Sequence, residues 1–371
     1  MKSCDVIIVG GGVIGLMTAF DLTRRALRVC VVDAGAPAAT DASAGMLAPS
    51  FEHDLHDGSA TLAQFSRASL RRWAQTAPMI EAASGESIDY DSGGVIAAAF
   101  SEDEAARLMA GGESGEWLDC AAARELEPAL APSLIGAWLS PDNGQVDPRR
   151  VRRALKIALL RAGAGFVSGQ RVTAVAAKSG AVCGVDLAGG ARLAAPAVVM
   201  ATGARVIGGD RAIAGAVYPV KGEALSLARI DGQPRRVVRS AYAYICPKAD
   251  GRIFVGATEL ARDWSLTTDA AHIAALKAGA AKTVPALAHA VEIDRWAGLR
   301  PATIDGAPII GPAGEGPDGL YYALGHYRNG VLLAPETAHA LAAAIIDNKP
   351  LDAAARAFSP ARFLKSTSGE N

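Results

Sequence analysis

The sequence predicts an α/β composite: a Rossmann-type domain on a parallel sheet, interleaved with a smaller domain on an antiparallel sheet. Three observations carry that prediction. The first 33 residues form a strand, a glycine turn, a helix and a second strand in unbroken succession. Buried strand-like runs of the same kind return at 197–203 and 320–324, after stretches of short, turn-punctuated alternation. The chain has 371 residues, half of them hydrophobic, which is enough for two cores.

The opening unit is the most informative. Asp5 to Val9 reads as a buried parallel strand, and Gly10-Gly11-Gly12-Val13-Ile14-Gly15 fits G-x-G-x-x-G. Leu16 to Arg25 reads as a helix. Arg28 to Val32 reads as a strand ending at Asp33, 18 positions after Gly15. This is the dinucleotide-binding fingerprint. Gly10 permits the tight turn, Gly12 lets a diphosphate approach the backbone, and Gly15 lets the helix pack on the strand. The first N–H groups of the helix and its positive end then face the phosphates, and the acid on the second strand accepts from ribose hydroxyls.

The remaining elements follow in order. Gly35 to Ala42 reads as a loop, and Ser43, Ala44, Gly45 and Met46 are small or slender enough for close approach to a ligand. Within Phe51 to Gly58, His53 and His56 stand among carboxylates; a solvated loop is the simpler reading, and no metal site is expected. Thr61 to Ala83 has helical periodicity. Ile88 to Tyr90 and Gly94 to Phe100 read as strands, and the acids after Ser101 as a helix start. Ile135 to Leu139 reads as a strand, and Asp147-Pro148 as the cap and first position of a helix through Ala164. Strands are expected at 165–167, 171–175 and 182–187, then at 197–203, ending in Thr202-Gly203. Further strands are expected at 217–227, 241–247 and 252–257, with a helix over 269–282. A final strand at 320–324 leads through Gly325 to Gly330 into an apolar helix over 331–346, and the tail after Phe358 reads as frayed. The expected division assigns 1–84, 147–215 and 298–365 to the dinucleotide domain and 85–146 and 216–297 to the substrate domain. Residues 366–371 are expected to be a flexible tail.

Bulk properties exclude several classes. Net charge is −1 and like charges do not cluster, so nucleic acid and membrane surfaces have no electrostatic footprint here. Five widely spaced cysteines without C-x-x-C suit a reducing compartment rather than disulfides or zinc. The N-terminus reads as a strand rather than a signal peptide, and uninterrupted apolar runs stay below the length of a membrane span. The expectation is a cytoplasmic protein, with homo-oligomerisation left open.

Three further features point to chemistry. The turn 325–330 repeats the opening logic, presenting a helix N-terminus to a ligand able to carry negative charge. Arg300, followed by Pro301, suits bidentate carboxylate binding. Tyr242 and Tyr244 alternate with alanines, so on a strand both would face one side.

These stretches together resemble a known family. GGGVIG with VVD, SAGML, VMATG, VKGE at 220–223, AYICP at 243–247, VGAT at 255–258, AGLRPATIDGAPIIG at 297–311 and GHYRNGVLLAP at 325–335 stand in the order seen in glycine oxidases. These are FAD-dependent members of the D-amino-acid oxidase family, many of them linked to thiamine synthesis. The resemblance covers roughly 4–360, and GLRP and GHYRNG are its most specific parts. It implies that Arg300 binds the substrate carboxylate with Tyr244 as partner. It also implies that Arg328 lies over the flavin, its backbone contacting the substrate amine. Flavin-contacting positions are implied at Val13, Ile14, Asp33, Ala34, Ala44, Gly45, Met46 and Val172, the last holding adenine through its backbone. They continue at His326, Tyr327, Arg328, Asn329, Gly330, Val331 and Leu332. Asp33 stands where the family commonly has Glu. Tyr242 and Glu259 stand where relatives vary, beside the expected pocket with Met46, and an acid at Glu259 would disfavour larger anionic substrates.

The resulting expectation is an oxidase of glycine, sarcosine and small D-amino acids that passes a hydride to FAD and is reoxidised by molecular oxygen. FAD is expected to be non-covalent, because 298–311 lacks the cysteine by which monomeric sarcosine oxidases tether it. Two rivals stand beside it. One is a secondary-amine or D-amino-acid dehydrogenase using another acceptor; the other is a non-catalytic FAD-binding assembly module.

Overall fold

The structure is a computed structural model, and it describes residues 4–49, 60–111, 114–207, 211–347 and 351–364. The expected 51–58 loop and the 366–371 tail lie outside these residues.

The six-stranded sheet has Val6–Val9 at its centre. Its order is 309–312, 320–324, 197–200, 6–9, 29–33 and 165–168, all parallel except the first pair. Alternation along the strands sends successive side chains to opposite faces. Val6, Ile8, Val29 and Val31 face one core, shared with helices Val13–Arg24, Ala60–Ser84, Pro148–Arg161 and Gly330–Asp347. Ile7, Val9, Cys30 and Val32 face the other, covered by a three-stranded sheet from Val172–Lys178, Ala181–Leu187 and Arg192–Leu193. The segment Tyr327–Asp347 is long and apolar enough to cross a membrane, but it packs in this core and about two thirds of it is buried.

The second sheet is built from 95–99, 116–119, 136–140, 217–227, 237–239, 244–247, 253–256, 260–261 and 292–303. It is antiparallel apart from one parallel pair, 237–239 with 95–99. One face packs on helix Ala270–Thr283 through Leu225, Ile245, Val255 and Ile273. Ala224, Cys246 and Phe254 face the other way, towards Ala44 and Ala48 of the first unit. The long pair 217–227 with 292–303 sets Val220 opposite Arg300 and Gly222 opposite Gly298.

Several expectations change. Ile88–Tyr90 forms no strand: Ile88 N–H donates to Glu81 Oε1, Asp89 has φ +61°, and only Asp91 pairs, with Gln145. The 35–42 loop contains a short helix, Ala39–Ala42. Arg300 is not on a short element; it sits within the twelve-residue strand Glu292–Thr303, which runs unbroken through the expected boundary at 298. After Phe358 the chain forms a further helical turn, Ala361–Leu364, held by Arg362 Nε on Asp305 Oδ2 at 2.6 Å. The cap at Asp147 forms as the sequence suggests, with its Oδ1 accepting from Arg149 N–H at 2.9 Å.

Candidate active site

A cavity of about 300 Å³ runs from the glycine turn to the inner face of the second sheet. At its first end the backbone does the work. Gly10 has φ +118°, and a Cβ there would collide with the Ala201 carbonyl. A Cβ on Gly15 would strike the Gly10 carbonyl, so this glycine serves helix–strand packing and does not line the cavity. Helix Val13–Arg24 starts at Gly12 without a side-chain cap on that residue. Thr40 Oγ1 instead accepts from Val13 N–H at 3.0 Å. Asp33 closes the second strand, with Oδ1 accepting from Gly35 N–H at 3.3 Å and Oδ2 from Arg152 at 3.2 Å.

At the other end the site is made of side chains. The Arg300 guanidinium lies over Gly222, filling the space a Cβ would take. Its Nη1 donates to the Thr258 carbonyl at 3.0 Å, and among the described residues it has no carboxylate partner. Its charge lies close enough to the Tyr244 phenol to act on its ionisation. Tyr244 stacks on Phe254 with centroids 6.0 Å apart, and Phe254 meets Trp296 edge-on. Burial pushes the Tyr244 phenol up from its usual value, opposed by the nearby charges of Arg300 and Arg328, so it stays a neutral hydroxyl. Arg328 Nη1 pairs with Glu259 Oε2 at 3.3 Å.

The turn between the ends is held from behind. Gly325 has φ +70° and Tyr327 φ +48°. His326 is buried, its Nε2 3.1 Å from Thr337 Oγ1, and burial lowers its pKa to about 3. It is a neutral anchor rather than a base.

The cavity brings together most of the sequence-derived positions: 10, 12–14, 33, 34, 43–46, 172, 202, 203, 244, 300 and 326–332. It leaves out two. Tyr242 does not share a face with Tyr244. The strand begins only at Tyr244, and a bend at 241–242 turns Tyr242 towards helix Ala270–Thr283, where its hydroxyl accepts from Lys282 Nζ at 2.6 Å. Glu259 does not line the cavity and reaches it only through Arg328. Sequence reading also passed over several supports. Lys248 is buried, and its ammonium donates to the Ala44 carbonyl, Gln145 Oε1 and the Val146 carbonyl at 2.7–2.9 Å, clamping the 43–46 segment. Arg152, Thr40, Gly222 and Thr258 are the others. Only VKGE and VGAT hinted at the last two, by their place in the resemblance.

The match to the FAD dependent oxidoreductase family model spans residues 5–344. The chain belongs to that family. A glycine oxidase from Bacillus licheniformis is 34% identical over 358 residues, 94% of each chain. A bifunctional protein ThiO/ThiG from Synechocystis sp. is 36% identical over 98% of this chain but only 54% of its own length, so this chain spans about half of that relative. The crystal structure of glycine oxidase from Geobacillus kaustophilus has a TM-score of 0.88 at 34% identity, covering 97% of this chain and 98% of that one. L-proline dehydrogenase from P. horikoshii shares the fold, with a TM-score of 0.84 at 22% identity.

The residues fit FAD. A side-chain-free cradle at Gly10 and Gly12 borders the cavity, and the first-turn N–H groups of a helix lack intrahelical acceptors. Asp33 stands at the ribose position of the fingerprint. Thr202 Oγ1 is buried at the cavity wall and has no hydrogen-bond partner among the described residues. The expectation of an FAD-dependent amine oxidase of this fold is thus borne out.

Proposed function

We propose that this chain oxidises glycine and other small amines bearing a carboxylate, including sarcosine and small D-amino acids. The products are a 2-oxo acid, ammonia or an amine, and hydrogen peroxide. For glycine the balance is glycine, oxygen and water to glyoxylate, ammonia and hydrogen peroxide. The observation that carries the reading is Arg300: a guanidinium without a carboxylate partner among the described residues, held over Gly222 by the Thr258 carbonyl, with the Tyr244 phenol at the same cavity wall.

When bound, FAD supplies a two-electron acceptor for the hydride leaving the substrate carbon. The chain supplies binding and orientation. Arg300 takes the carboxylate through its planar fork, and Tyr244 donates a hydroxyl to the same group. A fixed carboxylate confines the α-carbon to one side of the pocket, where positioning rather than acid–base chemistry lowers the barrier. Glu259 offsets the charge of Arg328, whereas Arg300, beside Tyr244, keeps its charge for the substrate carboxylate. Phe254 and Trp296 pack behind Tyr244 and keep water from that face. Non-covalent FAD is supported by the lack of cysteine among the described residues that line the cavity. The relatives named glycine oxidase and ThiO/ThiG support glycine as substrate and a place in thiamine synthesis.

The test is peroxide release by the purified protein with glycine, sarcosine, D-alanine and D-proline, in parallel with dye reduction under nitrogen. Turnover of glycine with peroxide in air is expected. Dye reduction without peroxide would make the protein a dehydrogenase. Yellow protein inert to all four amines would sink the reading. Acid precipitation should release the flavin into the supernatant.

A further inference from the structure

Helix Pro148–Arg161 carries Arg149 and Arg152 at i and i+3, on one face beside the cofactor end of the cavity. Arg149 Nε donates to the Asp41 carbonyl at 2.8 Å, with its guanidinium over the Trp296 ring. Arg152 does more. Nε donates to the Gly11 carbonyl at 2.8 Å, Nη1 to Asp41 Oδ2 at 2.6 Å and Nη2 to Asp33 Oδ2 at 3.2 Å. One guanidinium thus joins the glycine turn, the end of the second strand and the short helix whose Thr40 holds Val13 N–H.

We propose that Arg152 is a positioning residue for the adenosine diphosphate half of FAD. It sets the glycine turn and Asp33 in their binding geometry and offsets the negative charge gathered there. The inference rests on the family's cofactor and not on the choice of substrate.

Three physical points support it. The peptide that carries the Gly11 carbonyl also carries Gly12 N–H, which points the opposite way in the same plane. A donor fixed on the carbonyl therefore turns that N–H away from Arg152, and Gly12 lines the cavity. Second, Asp33 must present lone pairs to ribose hydroxyls. Its carboxylate is pressed so closely on the turn that a Cβ at Gly11 would overlap it, and Arg152 and Gly35 N–H fix one lone pair on each oxygen. Third, Asp33 and Asp41 are two carboxylates beside a turn that receives a diphosphate, and a cation between them removes most of that repulsion. Lysine would keep the charge without the three-way fork.

The test is FAD binding to deflavinated protein, followed by quenching of flavin fluorescence, with apoprotein unfolding measured alongside. It needs no turnover, so failure of the substrate assignment leaves it standing. Arg152→Gln should raise the FAD Kd about 10–100-fold, the range for charge-assisted hydrogen bonds. The deficit should be larger at low than at high salt. The apoprotein unfolding midpoint should move little. Arg152→Lys should recover part of the loss. Because Arg152 acts through Asp33, Arg152→Gln combined with Asp33→Asn should cost clearly less than the product of the two single effects. Wild-type or tighter FAD binding by Arg152→Gln would overturn the proposal, and so would independent effects in the double variant. Should Arg152→Gln not fold, Arg152→Lys decides: a Kd raised about 3–10-fold supports the proposal and an unchanged Kd overturns it.

Discussion

The two ends of the cavity are built on different principles. The cofactor end is mostly backbone: a glycine turn, helix N–H groups and one acid, all within the first 33 residues. The end proposed for the substrate is mostly side chains, with Tyr244, Arg300 and Arg328 delivered by three separate elements. A backbone site spreads its binding over many small contacts and survives the loss of one. A side-chain site concentrates its task in single groups, each held by one or two neighbours. Substitutions at the two ends should therefore fail in different ways.

Arg300 offers the largest contrast. Arg300→Lys should lower kcat/KM for glycine about 10²-fold or more, roughly 2.7 kcal/mol of transition-state binding, and Arg300→Ala further. Both should keep FAD, because the clamp lies away from the cofactor turn. Ethylamine, which lacks a carboxylate, should suffer far less. Gly222→Ala should behave as a milder Arg300 variant, since the new methyl would take the place of the guanidinium. If Arg300→Ala left glycine turnover intact with flavin bound, the carboxylate would have to be held elsewhere, with Arg328 next in line.

The turn joining the two ends makes a pH-dependent prediction. His326 is neutral because burial lowers its pKa from 6.5 to about 3. Below pH 6.5 the unfolded chain takes up a proton that the folded chain refuses, so stability falls as pH drops from 6.5 towards 3. His339, whose pKa burial also lowers, adds to the same limb, and the share of His326 is on the order of a few kcal/mol. His326→Gln should flatten the acid limb of Tm against pH and leave Tm above pH 7 less affected. An unchanged acid limb would place the histidine's burial in doubt.

At the cofactor end the effect should be smaller and of another kind. Asp33→Ala should weaken FAD binding by about 1–3 kcal/mol, the cost of a charge-assisted hydrogen bond. Measured at saturating FAD, kcat should fall far less than affinity. Isothermal titration of the apoprotein gives the affinity; a wild-type value would show that Asp33 does not touch the cofactor.

The same contrast explains what could be read from the sequence. A backbone site needs consecutive residues in one order, so 5–33 could be read directly as strand, turn, helix and strand. Pro301 and the tyrosine pair drew attention to Arg300 and Tyr244, but their roles came through GLRP and AYICP, because nothing local says which way a lone arginine points. Tyr242 misled for the same reason. Period-two alternation puts two tyrosines on one face only while the strand lasts, and the bend at 241–242 ends it. Arg152 and Lys248 were hidden more completely. Arg152 reads as one basic residue among several on an amphipathic helix, and Lys248 as a turn residue after Pro247. Their partners at Gly11, Asp33, Asp41, Ala44 and Gln145 lie about 100 positions or more away in the chain.

Tyr244 gives the smallest effect and the sharpest question about the substrate end. Its hydroxyl is half-buried, stays protonated beyond its ordinary range and lies near Arg300. If each side chain there acts by itself, Tyr244→Phe removes one neutral hydrogen bond to the carboxylate, on the order of 1 kcal/mol in kcat/KM for glycine. Arg300 would keep its place through the Thr258 carbonyl and the gap over Gly222, so KM should carry most of the change. FAD affinity should not move, and the alkaline limb of the pH profile should match wild type, because the wild-type phenol titrates above its ordinary range and phenylalanine has no proton to lose. A loss as large as that of Arg300→Lys would mean that the phenol aims the guanidinium. The pair would then act as one unit, and the double variant Tyr244→Phe with Arg300→Lys would be no worse than either alone.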